Sequence, residues 1–193
     1  MISLDFKTTK NMIMKKILFG LALIITTQQA FSQENFTISK VIKTDEVGKN
    51  MIYVAINEWF ATKYNSANDV IQMADKEAGI IIGNGATDYT KQGMMYGCYV
   101  GSIKYTIKVY IKGNRFKVDI TNFRHSVKPS ASLECALGLI TNAENYTDKG
   151  MSKKYHNKVW NDIKEYSTSY AESLFLSLEE RAKNIKEEVT DDW

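Results

Sequence analysis

From Ser102 to Lys112 the chain alternates without a break. Ile103, Tyr105, Ile107, Val109 and Ile111 fall on one parity, and Ser102, Lys104, Thr106, Lys108, Tyr110 and Lys112 on the other. A period of two predicts a strand with one buried face, because successive side chains leave opposite sides of the pleat. Gly113-Asn114 offers a two-residue hairpin turn, after which Phe116, Val118 and Ile120 alternate back. Setting Lys112 opposite Arg115 pairs Ile111 with Phe116, Val109 with Val118 and Ile107 with Ile120. On the other face Lys108 meets Asp119 and Thr106 meets Thr121. One face is apolar and the other wet, which predicts a sheet covered on one side only.

A second ribbon is expected upstream. Ile71 and Met73 alternate, "DKEA" turns the chain, and Ile80 and Ile82 alternate back. With Ala74 opposite Gly79, Met73 meets Ile80 and Ile71 meets Ile82, all on one half-buried face. The glycine-rich run Gly83-Asn84-Gly85 invites a phosphate-binding reading, but the context fails. A dinucleotide fingerprint needs a third glycine where Asp88 stands and a helix to follow, and "ATDYTKQGMMYG" has no helical period. A phosphate-binding loop would need Gly-Lys-Ser or Gly-Lys-Thr, which is absent. The glycines are expected to permit a bend or bulge where the strand leaves the sheet.

Two helices flank the ribbons. "KNMIYVAINEWFATKY" places Ile52, Ile56, Trp59, Phe60 and Tyr64 at spacings of three and four, an apolar stripe that faces a core. Residues 152–189 read as one long helix with Val159, Ile163, Tyr166, Tyr170, Leu174 and Leu178 in its stripe. Phe175 and Leu176 in "LFLSL" lie off that stripe, a surface seeking cover in self-association or assembly, or else under the loop after Phe123. "FTISKVIKT" is a short first strand, and residues 124–150 are a long connection with a helical turn expected near Leu133–Leu139. The element order is therefore β-α-β-β-β-β-α: an α+β fold with an antiparallel sheet and both helices on one face.

The start of the chain changes the charge argument. Met14-Lys15-Lys16, the apolar run Ile17–Ile25 and the small residues Ala30 and Ser32 have the three-part layout of a secretory signal peptide, cut between Ser32 and Gln33. The apolar run is far short of the roughly 20 residues that span a bilayer, so no transmembrane helix is expected in the mature chain. Residues 1–32 thus form an upstream extension and leader, and 33–193 a single exported domain, periplasmic or extracellular. The net charge of +3 belongs to the leader: without its four lysines and one acid, 21 bases face 21 acids. Bulk attraction to nucleic acid is not expected.

Candidate chemistry is sparse. Cys98 and Cys135 can pair in an exported chain, and extending the hairpin register brings Cys98 opposite Pro129, six residues from Cys135. Two buried free thiols are the other reading. His125 and His156 lack ligand spacing, so no metal and no cofactor are expected. No nucleophile elbow, zinc signature or catalytic cysteine motif occurs, and an enzyme is not expected. The distinctive surface is the wet sheet face, with Lys104, Lys108, Tyr110, Lys112, Arg115 and Lys117; residues 104–128 hold seven bases and one acid, Asp119. It suits an anionic ligand or an envelope protein as partner, although lysines on a wet strand face are also ordinary solvation.

Three stretches, "INEWFATKYNSANDVIQMADKEAGIIIGNG" (56–85), "YTIKVYIKGNRFKVDITNF" (105–123) and "WNDIKEYSTSYAESLFLSLEERA" (160–182), make the sequence similar to a family of secreted bacterial proteins, the domain of unknown function (DUF) 4468 family with a TBP-like fold. The resemblance implies that fold and an exported location. It implies no activity, cofactor or DNA binding, since function belongs to sites rather than folds.

Overall fold

In the computed structural model, which describes residues 34–44, 47–64 and 70–190, the long alternating stretch is the centre of the sheet. The leader expected in residues 1–32 lies outside the described residues. The strands are β1 (Ile38–Lys43), β2 (Ile71–Asp75), β3 (Ile80–Tyr89), β4 (Gly101–Lys112), β5 (Arg115–Val127) and the short β6 (Gly138–Leu139). Helix α1 (Lys49–Lys63) joins β1 to the β2–β3 hairpin, and α2 (Lys153–Thr190) closes the chain. The sheet runs β1-β5-β4-β3-β2, antiparallel throughout, and β6 pairs with β5 at Arg124 and His125, beyond the reach of β1. These elements belong to one compact unit, Glu34–Trp193.

The expected two-sidedness holds. Ile103, Tyr105, Ile107, Val109, Ile111, Phe116, Val118 and Ile120 are all buried. Both helices lie over them, α1 with Ile52, Ala55, Ile56, Trp59 and Phe60, and α2 with Val159, Ile163, Ala171, Leu174 and Leu178. The indole of Trp59 donates to the Ser177 hydroxyl at 2.9 Å, and Arg181 pairs with Glu58, so the helices are also joined to each other. The cross-strand pairs of β4 and β5 from Lys112–Arg115 to Thr106–Thr121 are those read from the sequence. Edge strand β1 turns Lys40 toward α2, where it meets Glu179 at 2.9 Å. A charge pointing inward from an edge strand discourages pairing with another chain.

Four expectations are corrected. In the β2–β3 hairpin Met73 pairs with Ile82 and Asp75 with Ile80, two residues from the expected register, around the turn Lys76–Gly79. Gly79 takes a φ of +70°, and the Ala78 N–H donates to Asp75 Oδ1, so a four-residue turn closes the ribbon. Ile81, not Ile80 or Ile82, is the isoleucine under the helices, because β3 takes its register from β4, where Ile81 faces Val109. Three successive isoleucines carry no parity of their own, and pairing with the central strand chooses the face.

The glycines of β3 are also not a point of departure, although the β2–β3 pairing does shift register opposite Gly83, between Ile71 and Met73. β3 stays paired with β4 without interruption from Ile80 to Tyr89. Gly83 and Gly85 lie on the covered face, where a Cβ would come within 2.6 Å of the Phe60 and Tyr105 rings respectively. They are seats for aromatic rings.

The third correction concerns α2: Phe175 is fully buried, while Leu176 is 61% exposed. Thus most of the apolar surface expected to seek a partner is already inside the fold. The fourth concerns the connection after β5. β5 continues to Val127, with a bulge in its pairing between Lys104 and Thr106 of β4, and Asn122 at φ +56°. This shifts the register beyond it, so that Gly101 faces Val127. A 3-10 turn at Leu133–Cys135 and strand β6 then carry Leu137 and Ile140 into the core, and the Ala143 carbonyl beyond them accepts from the Trp160 indole of α2.

Candidate functional site

The face of the sheet away from the helices is covered by no described element. At its hairpin end, Lys112 and Arg115 flank the Gly113-Asn114 turn and face each other across the ladder. Gly113 adopts φ +58°, a conformation open to glycine without strain. One step further from the turn, Tyr110 pairs with Lys117, and Lys117 in turn pairs with Val41 of β1. These five residues, with Phe116 and Asp119, line a cavity of about 600 Å³. Four of the six residues expected to form a ligand face therefore share one hollow.

Its electrostatics are uneven. Lys117 binds Asp119 at 2.8 Å, and Asp119 also accepts from the Ser39 hydroxyl at 2.6 Å. Among the described residues no acid forms an ion pair with Lys112 or Arg115. Like charges set directly across a ladder destabilise it. An arriving anion would relieve that repulsion, and a guanidinium fork with an ammonium beside it can hold a carboxylate, sulfate or phosphate. Tyr110 and Val41 add an apolar wall.

Of the two remaining predicted residues, Lys108 faces Asp119 and Ile82 across its ladders and lines neither cavity described here. Lys104 lies at the other end of the face, paired with Arg124, in a second cavity of about 560 Å³. Asn84, Thr106 and Asn122 also line it. The Thr106 hydroxyl donates to Asn84 Oδ1 at 3.0 Å, and Asn35 donates to Asn122 Oδ1 at 2.8 Å. At its back stand Tyr64 and Tyr105, whose hydroxyls are 3.1 Å apart; burial pushes the Tyr64 phenol up to about 12.

Sequence reasoning missed Val41 and Arg124. Val41 is brought to the hollow only by the β1–β5 pairing. Arg124 has the parity of the buried Phe116, Val118 and Ile120, and the bulge turns it outward while Phe123 and His125 turn in. The one available signal was Asn122 itself, a residue type that tolerates positive φ.

His125 is built into the core, 1% exposed. Its Nε2–H donates to the Tyr99 carbonyl at 2.9 Å, and its Nδ1 accepts from the Leu137 N–H at 3.2 Å. Those partners define a neutral ring, and burial holds its pKa below the usual histidine value. Cys98 and Cys135, in two separate 3-10 turns, form a disulfide with Cα atoms 5.9 Å apart. It ties the segment before β4 to the one after β5. No group of three histidine, cysteine or acidic residues suited to a metal occurs among the described residues. No described helix is long and apolar enough to cross a membrane.

Comparison with known proteins supports the fold. Residues 39–126 match the domain of unknown function (DUF4468) with TBP-like fold. The chain is similar to a TBP-like protein from Parabacteroides distasonis whose crystal structure is known, with 16% identity, a TM-score of 0.56, and 77% of this chain and 92% of that one covered. It is also similar to a DUF4468 family protein from Bacteroides ovatus, with 15% identity, a TM-score of 0.54, and coverage of 77% and 86%. No curated protein matches the chain. Likeness at these identities carries the fold rather than a function. Over residues 39–126 the chain is similar to the DUF4468 family, and its fold is the TBP-like fold.

Proposed function

We propose that this protein is a non-enzymatic binding module of the bacterial cell envelope, which holds an anionic ligand on the open face of its sheet. The observation that carries the reading is the hollow of about 600 Å³ in which Lys112 and Arg115 face each other without an acid partner among the described residues. A surface lysine on a strand normally points singly into water. Here two bases, an aromatic ring and a valine converge on one concavity, which is how ligand sites are made. The engaged nitrogens of His125 favour binding over proton-transfer catalysis, because neither is presented to a substrate. The envelope location rests on the leader-like layout of Met14–Ser32.

The test is retention on a polygalacturonate matrix. Lys112→Glu with Arg115→Glu should lower retention at least tenfold. Lys153→Glu with Lys154→Glu, the same change of charge on the exposed start of α2, should leave it nearly unchanged. Equal loss in both variants, or none in the first, rejects the hollow as the site.

A further inference from the structure

The open face carries two cavities, at opposite ends of β4 and β5. Each contains a basic pair set directly across the same ladder, Lys112 with Arg115 at the hairpin end and Lys104 with Arg124 at the other. No acid among the described residues forms an ion pair with any of the four. Between the pairs Asp119 faces Lys108 and binds Lys117, so two of the three charges there cancel. The Lys104–Arg124 cavity is itself lined by amides and hydroxyls, Asn84, Thr106 and Asn122. Lys104 and Lys112 stand eight residues apart on one strand, a span of roughly 25 Å. A small anion reaches one pair and not the other.

We infer that the ligand is a linear acidic polysaccharide lying along β4 and β5, with an acidic sugar at each basic pair and neutral hydroxyls against the amides and hydroxyls beside Lys104 and Arg124. The inference rests on the reading of this face as an anion-binding surface and adds the class and length of the ligand. Sugar hydroxyls donate and accept, and so do the asparagine and threonine side chains that line the Lys104–Arg124 cavity. Single-stranded nucleic acid is also a linear polyanion, but it is held by aromatic platforms under successive bases. Between the basic pairs β4 and β5 present a single ring, Tyr110, among Thr106, Lys108, Lys117 and Asp119, rather than a series of platforms. Two separated cationic pairs on one rigid ladder make the second contact intramolecular, so affinity should rise sharply once a chain spans both.

Titration calorimetry with oligogalacturonates of increasing length tests this. Affinity should rise on the order of 100-fold between the disaccharide and chains longer than the span of the two pairs. Lys104→Glu with Arg124→Glu, and separately Lys112→Glu with Arg115→Glu, should each return the long chain to the affinity of the short one. The melting temperature of each variant reports whether it remains folded. Two outcomes overturn the inference while leaving an anion-binding face: short and long chains binding alike, or a single-stranded DNA of equal charge binding as tightly as the long oligosaccharide. Absence of binding at every length removes the anion-binding reading as well.

Discussion

Gly85 and Tyr105 are direct cross-strand partners, and the tyrosine ring fills the space that a side chain on the glycine would need. A Cβ at Gly85 would stand 2.6 Å from Cε2, Cζ and Oη of that ring. The ring cannot easily withdraw. It is buried, and its hydroxyl lies 3.1 Å from the hydroxyls of both Tyr64 and Tyr170. The ring of Phe60, on α1, likewise fills the space beside Gly83.

Gly85→Ala should therefore destabilise the fold. Overpacking typically costs about 1–3 kcal/mol, against a gain of about 0.4–1 kcal/mol from restricting the unfolded chain. A net loss of about 1–2 kcal/mol is expected in urea unfolding. In a Tyr105→Leu background the same substitution should lose much less, because the clashing atoms are gone. Equal losses in both backgrounds would exclude the ring as the cause.

Phe175 and Leu176 are adjacent and should behave oppositely. Phe175 is fully buried, and its truncation to alanine should cost about 3–5 kcal/mol. Leu176→Ala should stay within about 0.5 kcal/mol of the parent. Thermal and urea unfolding of the two variants measure the difference directly.

Stability should decline below the ordinary histidine pKa. His125 is held neutral in the fold, with its pKa lowered by burial. Above about pH 6.5 neither state protonates it and its contribution is constant. Below that, the unfolded chain takes up a proton that the folded chain refuses, so stability falls with pH by at most ~1.4 kcal/mol per unit until the folded pKa is reached. Comparing unfolding at pH 7 and 5.5 measures this, and His125→Gln should flatten that interval. An unchanged slope in the variant would assign the effect to other groups.

The disulfide should contribute strongly. Linking Cys98 to Cys135 closes a loop whose ends are 37 residues apart, worth ~4 kcal/mol in the chain-entropy account. Cys98→Ser with Cys135→Ser should lower the urea midpoint accordingly. Reductant should lower the midpoint of the parent protein and leave that of the double variant unchanged.

How much of this was legible beforehand depends on where the information resides. The β4–β5 register could be read because Ile103 to Ile111 and Phe116 to Ile120 alternate cleanly around a two-residue turn, so a one-residue slip would expose the whole apolar set. Both helices could be read from their stripes. Four residues of the hairpin-end hollow followed from the same alternation, since Tyr110, Lys112, Arg115 and Lys117 had to share the wet face.

What the chain's own pattern determined, then, was its local periodicity: which segments are strands or helices, and which side of the central ribbon is apolar. Tertiary structure decided the rest. The face of Ile81 was set by its partner strand, the burial of Phe175 by the packing of α2 against β1, whose Lys40 lies over the ring, and the outward turn of Arg124 by a bulge at one asparagine. Periodicity is a property of neighbours along the chain, whereas register, crossing and bulge positions minimise energy between segments far apart in sequence. The glycines at 83 and 85 show this most clearly: their meaning is the two rings that fold onto them, and neither ring is near them in the sequence.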